Sequence, residues 1–158
     1  ERGGDVTYHG PGQAVAYPIV HLPSHGLGIS DYMHGLEEAI IATLAEYGLR
    51  ARRRQGLIGV WIGENKIAAL GVRVRHGVTF HGLALNVTPQ MRHWGYIIPC
   101  GLTEGGVTSM ALEMESPPPL REVVARLAAH LAQALHLVMH TVQLADLELD
   151  SDEPTAQP

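Results

Sequence analysis

The chain has 158 residues, enough to bury one substantial core but not two. Hydrophobic residues make up 46% and the formal net charge is −5, which argues against a disordered chain, against a nucleic-acid-binding surface and against a broad basic field for an acidic substrate. A single cysteine excludes an internal disulfide, and with no signal peptide and no apolar run long enough to span a bilayer the cytoplasm is the expected location.

The first residues, "ERGGDVTYHGPGQ", read as a strand end running into a structured loop with no hydrophobic element before it. A start of this kind predicts a fragment, or the ordered part of a longer chain, with Glu1 near the functional site. "AVAYPIVHL" (Ala14–Leu22) has the β-branched and aromatic content of a strand, and Pro18 restricts it to a sheet edge or a bulge. A helix is expected from about Asp31, with Ser30 as N-cap and Gly48 as the stop. Tyr32, Leu36, Ile40, Leu44 and Tyr47 recur along it at helical spacing. "RARRR" (Arg50–Arg54) reads as a solvated basic connection, with an anionic carrier surface as the alternative.

"LIGVWI", the turn Gly63-Glu64-Asn65 and "KIAALGVRV" predict an antiparallel hairpin, and "VTFHGLALNV" a third strand after His76-Gly77. Met91–Ser109 is loop-like and ends at "SPPP" (Ser116–Pro119). A long amphipathic helix is expected from about Leu120 to about Leu144. Val123, Val124, Leu127, Leu131, Leu135, Val138 and Val142 form its buried stripe. One domain, residues 1–145, is expected. The remaining tail, 146–158, is acidic and should be disordered.

Candidate chemistry centres on two residues that each occur once. Cys100 lies in "YIIPCGL", where Pro99 and Gly101 set a fixed turn and leave room for a substrate to approach. A buried, inert thiol is the competing reading, since a nucleophilic thiol needs a lowered pKa or an adjacent base. Lys66 is the other: ten of the 11 basic residues are arginine, so arginine already serves solubility and ion pairing. Unlike arginine, a partly buried lysine can release its proton, although Lys66 could equally be a surface charge in a turn. His9 and His81 each precede a glycine near a strand end, so a Cys-His pair competes with a Cys-Lys pair. "HLVMH" puts His136 and His140 one helical turn apart. The zincin glutamate and a third ligand are missing, so no metal site is expected. "RGG" and "HGPGQ" match neither a P-loop nor G-x-G-x-x-G.

Five stretches in order, "RGGDVTYHGPGQ", "NKIAALGVRV", "TFHGLALNV", "PCGL" and "VTSM", resemble the lipoyl(octanoyl) transferase family over roughly Arg2 to Met110. The resemblance implies an α+β fold shared with biotin and lipoate ligases, a mixed, largely antiparallel sheet flanked by helices. It also implies a further N-terminal segment. The implied activity is that of an octanoyl-[acyl-carrier-protein]:protein N-octanoyltransferase, an enzyme of lipoate biosynthesis. An octanoyl or lipoyl group passes from acyl carrier protein to a lysine of a lipoyl domain through an acyl-cysteine thioester. No cofactor is implied. The acceptors implied are the lipoyl domains of 2-oxoacid dehydrogenases and the glycine cleavage H protein, with neither nucleic acid nor membrane as a partner. The resemblance makes Cys100 the nucleophile and Lys66 the residue that lowers its pKa and shuttles protons. Substrate contacts map onto Arg2, Gly3, Gly4, Asp5, Val6, Thr7, Tyr8, His9, onto Ala69, Leu70, Gly71, and onto Gly82, Leu83, Ala84. His81 and Asn86 are candidate pocket residues. An acyl tunnel could be supplied by the apolar runs "IAALGV" and "LALNV". The competing functions are an ATP-dependent lipoate- or biotin-type ligase on the same fold, which needs no cysteine, and an inactive carrier-binding module.

Overall fold

The computed structural model describes residues 8–96 and 106–143. Five strands form one sheet: β1 (Gln13–Ala16), β2 (Arg52–Arg54), β3 (Leu57–Ile62), β4 (Asn65–Arg75) and β5 (Val78–Asn86). Their order across the sheet is β1-β5-β4-β3-β2, and every pairing between them is antiparallel. One isolated parallel bridge, from Lys66 to Val107, makes the sheet mixed at the start of β4. The helices are α1 (Ile29–Glu46), α2 (Met110–Glu113) and α3 (Leu120–Ala134). The α+β class expected from the sequence is the one found.

Turn chemistry sets the hairpins β3–β4 and β4–β5. Ile62 pairs with Asn65, leaving Gly63-Glu64 as a two-residue loop with Gly63 at φ 55°. Arg75 pairs with Val78 across His76-Gly77, both at positive φ, the requirement of a type I′ turn. The expected strand Ala14–Leu22 is shorter, because the chain leaves the sheet after Ala16. The Pro18 carbonyl accepts bonds from Tyr32 Oη (2.6 Å) and Thr79 Oγ1 (2.9 Å), and the chain returns to β5 where the Val20 carbonyl accepts Thr79 N–H (3.0 Å) beside the His21–Val78 bridge. β1 is an edge strand, in keeping with a proline just beyond it.

Arg52–Arg54 forms edge strand β2 rather than a connection. Its arginines pair with neighbouring acids: Arg52 and Arg54 with Glu64 at 3.0 and 3.1 Å, and Arg53 with Glu38 at 3.1 Å. Exposed pairs of this kind add little stability, but a charged edge resists pairing with other chains.

α1 and α3 pack against each other and on one face of the sheet, α1 over β3, β4 and β5 and α3 over β1. Tyr32, Leu36, Ile40 and Leu44 are buried as their spacing predicts. The helix starts at Ile29, two residues earlier than expected, because the Asp31 carboxylate accepts the N–H of Gly28, which takes the N-cap position in place of Ser30. Gly48, at φ 75°, ends it. Leu49 N–H bonds Leu44 O and Gly48 N–H bonds Ala45 O, a Schellman pair.

The largest departure is at α3, which stops at Ala134 instead of continuing to about Leu144. Val123, Leu127, Leu131 and Leu135 are buried as expected. Val124, Val138 and Val142 are exposed, at 44%, 85% and 58%, so among the described residues the apolar stripe is not covered beyond Leu135. A second Schellman pair closes the helix, with Leu137 N–H to Ala132 O and His136 N–H to Gln133 O. His136 therefore occupies the left-handed position at φ 54°, where glycine is favoured. Since His136 is exposed, His136→Gly should stabilise the fold by about 0.5–1 kcal/mol, read as a raised urea midpoint with unchanged m-value. His136 and His140 lie beyond the helix, so they are not one turn apart on it. Among the described residues no helix is long and apolar enough to cross a membrane. The tail 146–158 and the expected helix end at Leu144 lie outside the described residues.

Candidate active site

Lys66 is fixed on both sides of β4. It pairs with Trp61 of β3, and on its other side its N–H donates to Gly106 O while its carbonyl accepts from Thr108 N–H, both at 2.9 Å. One extra residue in β4 separates the pairs Val60–Ala68 and Trp61–Lys66. This is a β-bulge at Ile67, and it sends both Ile67 and Ala68 into the helix-side core. Lys66 and Trp61 consequently face the opposite side of the sheet.

Alternation places further candidates on that side. Ala69 pairs with Ala84, Leu70 with Leu83 and Gly71 with Gly82, so the two candidate substrate tripeptides are paired residue for residue. Leu70 and Leu83 turn into the core behind the sheet, whereas Ala69 and Ala84 share the Lys66 face. Gly82 is occupied by chain packing: a Cβ there would stand 2.2 Å from Ala16 O and 2.9 Å from Pro18 Cδ. Gly82→Ala should force β1 off β5 and cost about 1–3 kcal/mol, measured as a lowered urea midpoint.

The loop Tyr8–Gly12 is tied to the same end of the sheet by buried amides. Gly10 N–H donates to Gln13 Oε1 (2.9 Å), Gln13 Nε2 to Asn86 Oδ1 (2.8 Å), and Asn86 Nδ2 to Thr108 O (2.9 Å). Asn86 thus joins β5, the glycine-rich loop and the segment that bridges Lys66. Gly12, at φ 92°, lets its carbonyl accept both Val87 and Thr88 N–H, and any Cβ there would meet the Thr88 carbonyl at 2.5 Å. Tyr8 Oη lies 2.6 Å from His93 Nδ1, and the Tyr8 ring stands edge-on to Trp94. Both partners belong to the short 3-10 helix Met91–Tyr96.

The two histidines weighed as bases are placed differently. His9 is exposed in the loop bonded to Asn86, at the Lys66 end. His81 pairs with Val72, six residues further along β4 from Lys66, about 20 Å away at strand rise. It is exposed, at φ 62°, edge-on to Tyr17. Cys100 and the segment Arg2–Thr7 lie outside the described residues, as does Glu1. Among the described residues no group of His, Cys, Asp and Glu is arranged to hold a metal ion.

Several residues at this end were not singled out from the sequence: Trp61, Gln13, Thr108, His93 and Trp94. Trp61 was countable, because a two-residue Gly63-Glu64 loop puts it opposite Lys66. The others depend on contacts between distant segments.

Residues 1–132 match the lipoyl protein ligase A/B catalytic domain. The chain belongs to that family. Among relatives of the domain, the octanoyltransferase of Chloroflexus aggregans is 50% identical over 140 residues, covering 87% of this chain and 63% of its own length. That of Xylella fastidiosa is 48% identical over 140 residues, covering 89% and 61%. The chain therefore spans somewhat over six tenths of the curated relatives it matches. Two solved structures share the fold. Lipoate-protein ligase A bound with ATP has a TM-score of 0.66 at 19% identity, covering 90% of this chain and 61% of that one. Biotin protein ligase from Aquifex aeolicus has a TM-score of 0.63 at 13% identity, covering 79% and 53%.

Proposed function

We propose that this lipoyl protein ligase A/B domain is the catalytic part of an octanoyltransferase, moving an octanoyl group from acyl carrier protein to a lysine of a lipoyl domain. The observation that carries this reading is the identity of about one half to proteins named octanoyltransferase, over most of this chain. The arrangement around Lys66 supports it.

In the proposed reaction the Cys100 thiolate attacks the carbonyl of the octanoyl thioester. The carrier thiolate leaves and takes up a proton. The acyl group is now held as a cysteine thioester. The neutral amine of the acceptor lysine attacks that carbonyl, the Cys100 thiolate leaves, and the ammonium formed on the way gives up a proton. Lys66 serves both halves: as a cation it favours the thiolate, and as a neutral amine it takes the proton of the second half. Its support is positional. Lys66 is fixed between β3 and the segment 106–108, and Gly106, its hydrogen-bond partner, follows Cys100 by six residues in the chain. Ala69 and Ala84, small residues on the same sheet face, leave room there for an alkyl chain. Tyr8, His9 and the segment before them would complete the substrate side. The acceptors we infer are lipoyl domains of 2-oxoacid dehydrogenases and the glycine cleavage H protein, and the setting is the cytoplasm.

The test is intact mass after incubation with octanoyl carrier protein and no ATP. The expected product is protein carrying one octanoyl group, which an added lipoyl domain then discharges. Transfer that requires ATP would assign an adenylating ligase instead, and carrier binding with no acyl-enzyme would assign a binding module.

A further inference from the structure

Lys66 is the only lysine of the chain, and three features converge on it from outside the chemistry assigned above. Trp61, directly opposite in the β3–β4 register, is fully buried, and Lys66 Nζ lies 4.9 Å from its ring centroid. Gly59 holds φ 136°, and a Cβ there would stand 3.0 Å from Lys66 Cε, 3.1 Å from the Trp61 ring and 2.9 Å from Ala68 O. Glu37, a buried acid of α1, accepts the Gly59 N–H at 3.1 Å.

The indole carries a penalty. Its Nε1–H is buried and finds no hydrogen-bond partner among the described residues. A phenylalanine would fill much of the same volume with no orphaned donor. What the indole offers beyond a phenyl ring is the stronger π face for a cation.

We propose that Trp61, seated by Gly59 and Glu37, is the positioning residue for Lys66. The inference rests on the reading of Lys66 as the group that moves the proton. A lysine side chain has four rotatable bonds and loses much rotamer freedom when held in one place. A group that must meet the thiol in one half-reaction and the acceptor ammonium in the next loses rate when its geometry is loose. The Trp61 ring holds the ammonium end, while the missing side chain at Gly59 leaves the slot through which the Lys66 stem passes. The hydrogen bond from Gly59 to Glu37 anchors that slot to α1, so the lysine's position is referred to the core and not to a surface turn.

The lone lysine makes the test direct. Protein labelled at lysine Cε gives one ε-CH2 signal, expected upfield of its ordinary position because of the indole ring current. Trp61→Leu should abolish that displacement and Trp61→Phe should reduce it. Acyl transfer should fall roughly two- to thirty-fold in Trp61→Leu, the range for losing a cation–indole contact. The loss should sit in kcat with the carrier KM unchanged, since a buried ring touches no substrate, and Trp61→Phe should restore most of it. An undisplaced signal in the folded wild type overturns the proposal. So does a folded Trp61→Leu with wild-type kcat. If Trp61→Leu does not fold, the wild-type displacement and its reduction in Trp61→Phe decide alone, and an equal displacement in the two overturns the proposal. Full turnover in Lys66→Arg would remove Lys66 as the proton carrier yet leave the ring-current result standing, so the two failures are distinguishable.

Discussion

Cys100→Ala is expected to form no acyl-enzyme and to lose octanoyl transfer by a factor on the order of 10⁴ or more. The chain has no other thiol, so a thioester intermediate has no alternative site. A serine at the same position separates chemistry from packing. Cys100→Ser keeps almost the same volume, but its hydroxyl stays protonated where a thiol with a lowered pKa would not. Cys100→Ser should therefore match Cys100→Ala in activity while matching the wild type in urea midpoint. Incubation with octanoyl carrier protein followed by intact-mass measurement reads the first point. Acyl label that persists in Cys100→Ala would sink the assignment and redirect attention to an amine or hydroxyl acceptor.

The parts of the fold that could be read from the sequence are those set by local chemistry. Gly63-Glu64 and His76-Gly77 fix their hairpins through backbone conformation, and the Tyr32–Leu44 stripe fixes the buried face of α1. What could not be read depends on partners outside the segment itself. α3 carries an apolar pattern past Leu135, yet Val138 and Val142 remain exposed, and periodicity alone does not say where the covering surface ends. Arg52–Arg54 carries no strand signal of its own; it becomes β2 by folding back across Gln55-Gly56 onto the edge of β3, where Arg54 pairs with Leu57 and Glu38 and Glu64 supply the opposing charge. The site divides in the same way. Lys66 stood out by composition and by its place after a turn, and the hairpin count reaches Trp61 beside it. The bulge at Ile67 that aims both away from the helices leaves no mark in the sequence. Nor does the Gln13–Asn86–Thr108 relay, whose members are 22 or more residues apart in pairs.

Lys66→Arg is expected to separate the two halves of the reaction. Arginine keeps a positive charge at the end of a long side chain and stacks well on an indole, so it retains the cation beside Trp61. If Lys66 favours the Cys100 thiolate by charge, acylation by octanoyl carrier protein should survive within about tenfold. The second half needs a group that gives and takes a proton near neutral pH, and a guanidinium does not release one. Discharge of the acyl-enzyme to a lipoyl domain should then slow by about 10²–10⁴-fold, the usual contribution of a general base. The signature is an octanoylated protein that accumulates on mixing with the carrier and persists when the acceptor is added. Lys66→Met supplies the contrast: with neither charge nor base, both halves should fail. Single-turnover measurement of each half on all three proteins gives the result. Full discharge in Lys66→Arg would remove Lys66 as the base and turn attention to His9, whose loop is bonded through Gln13 and Asn86 to the Lys66 end of the sheet, in preference to His81, six residues away along the strand.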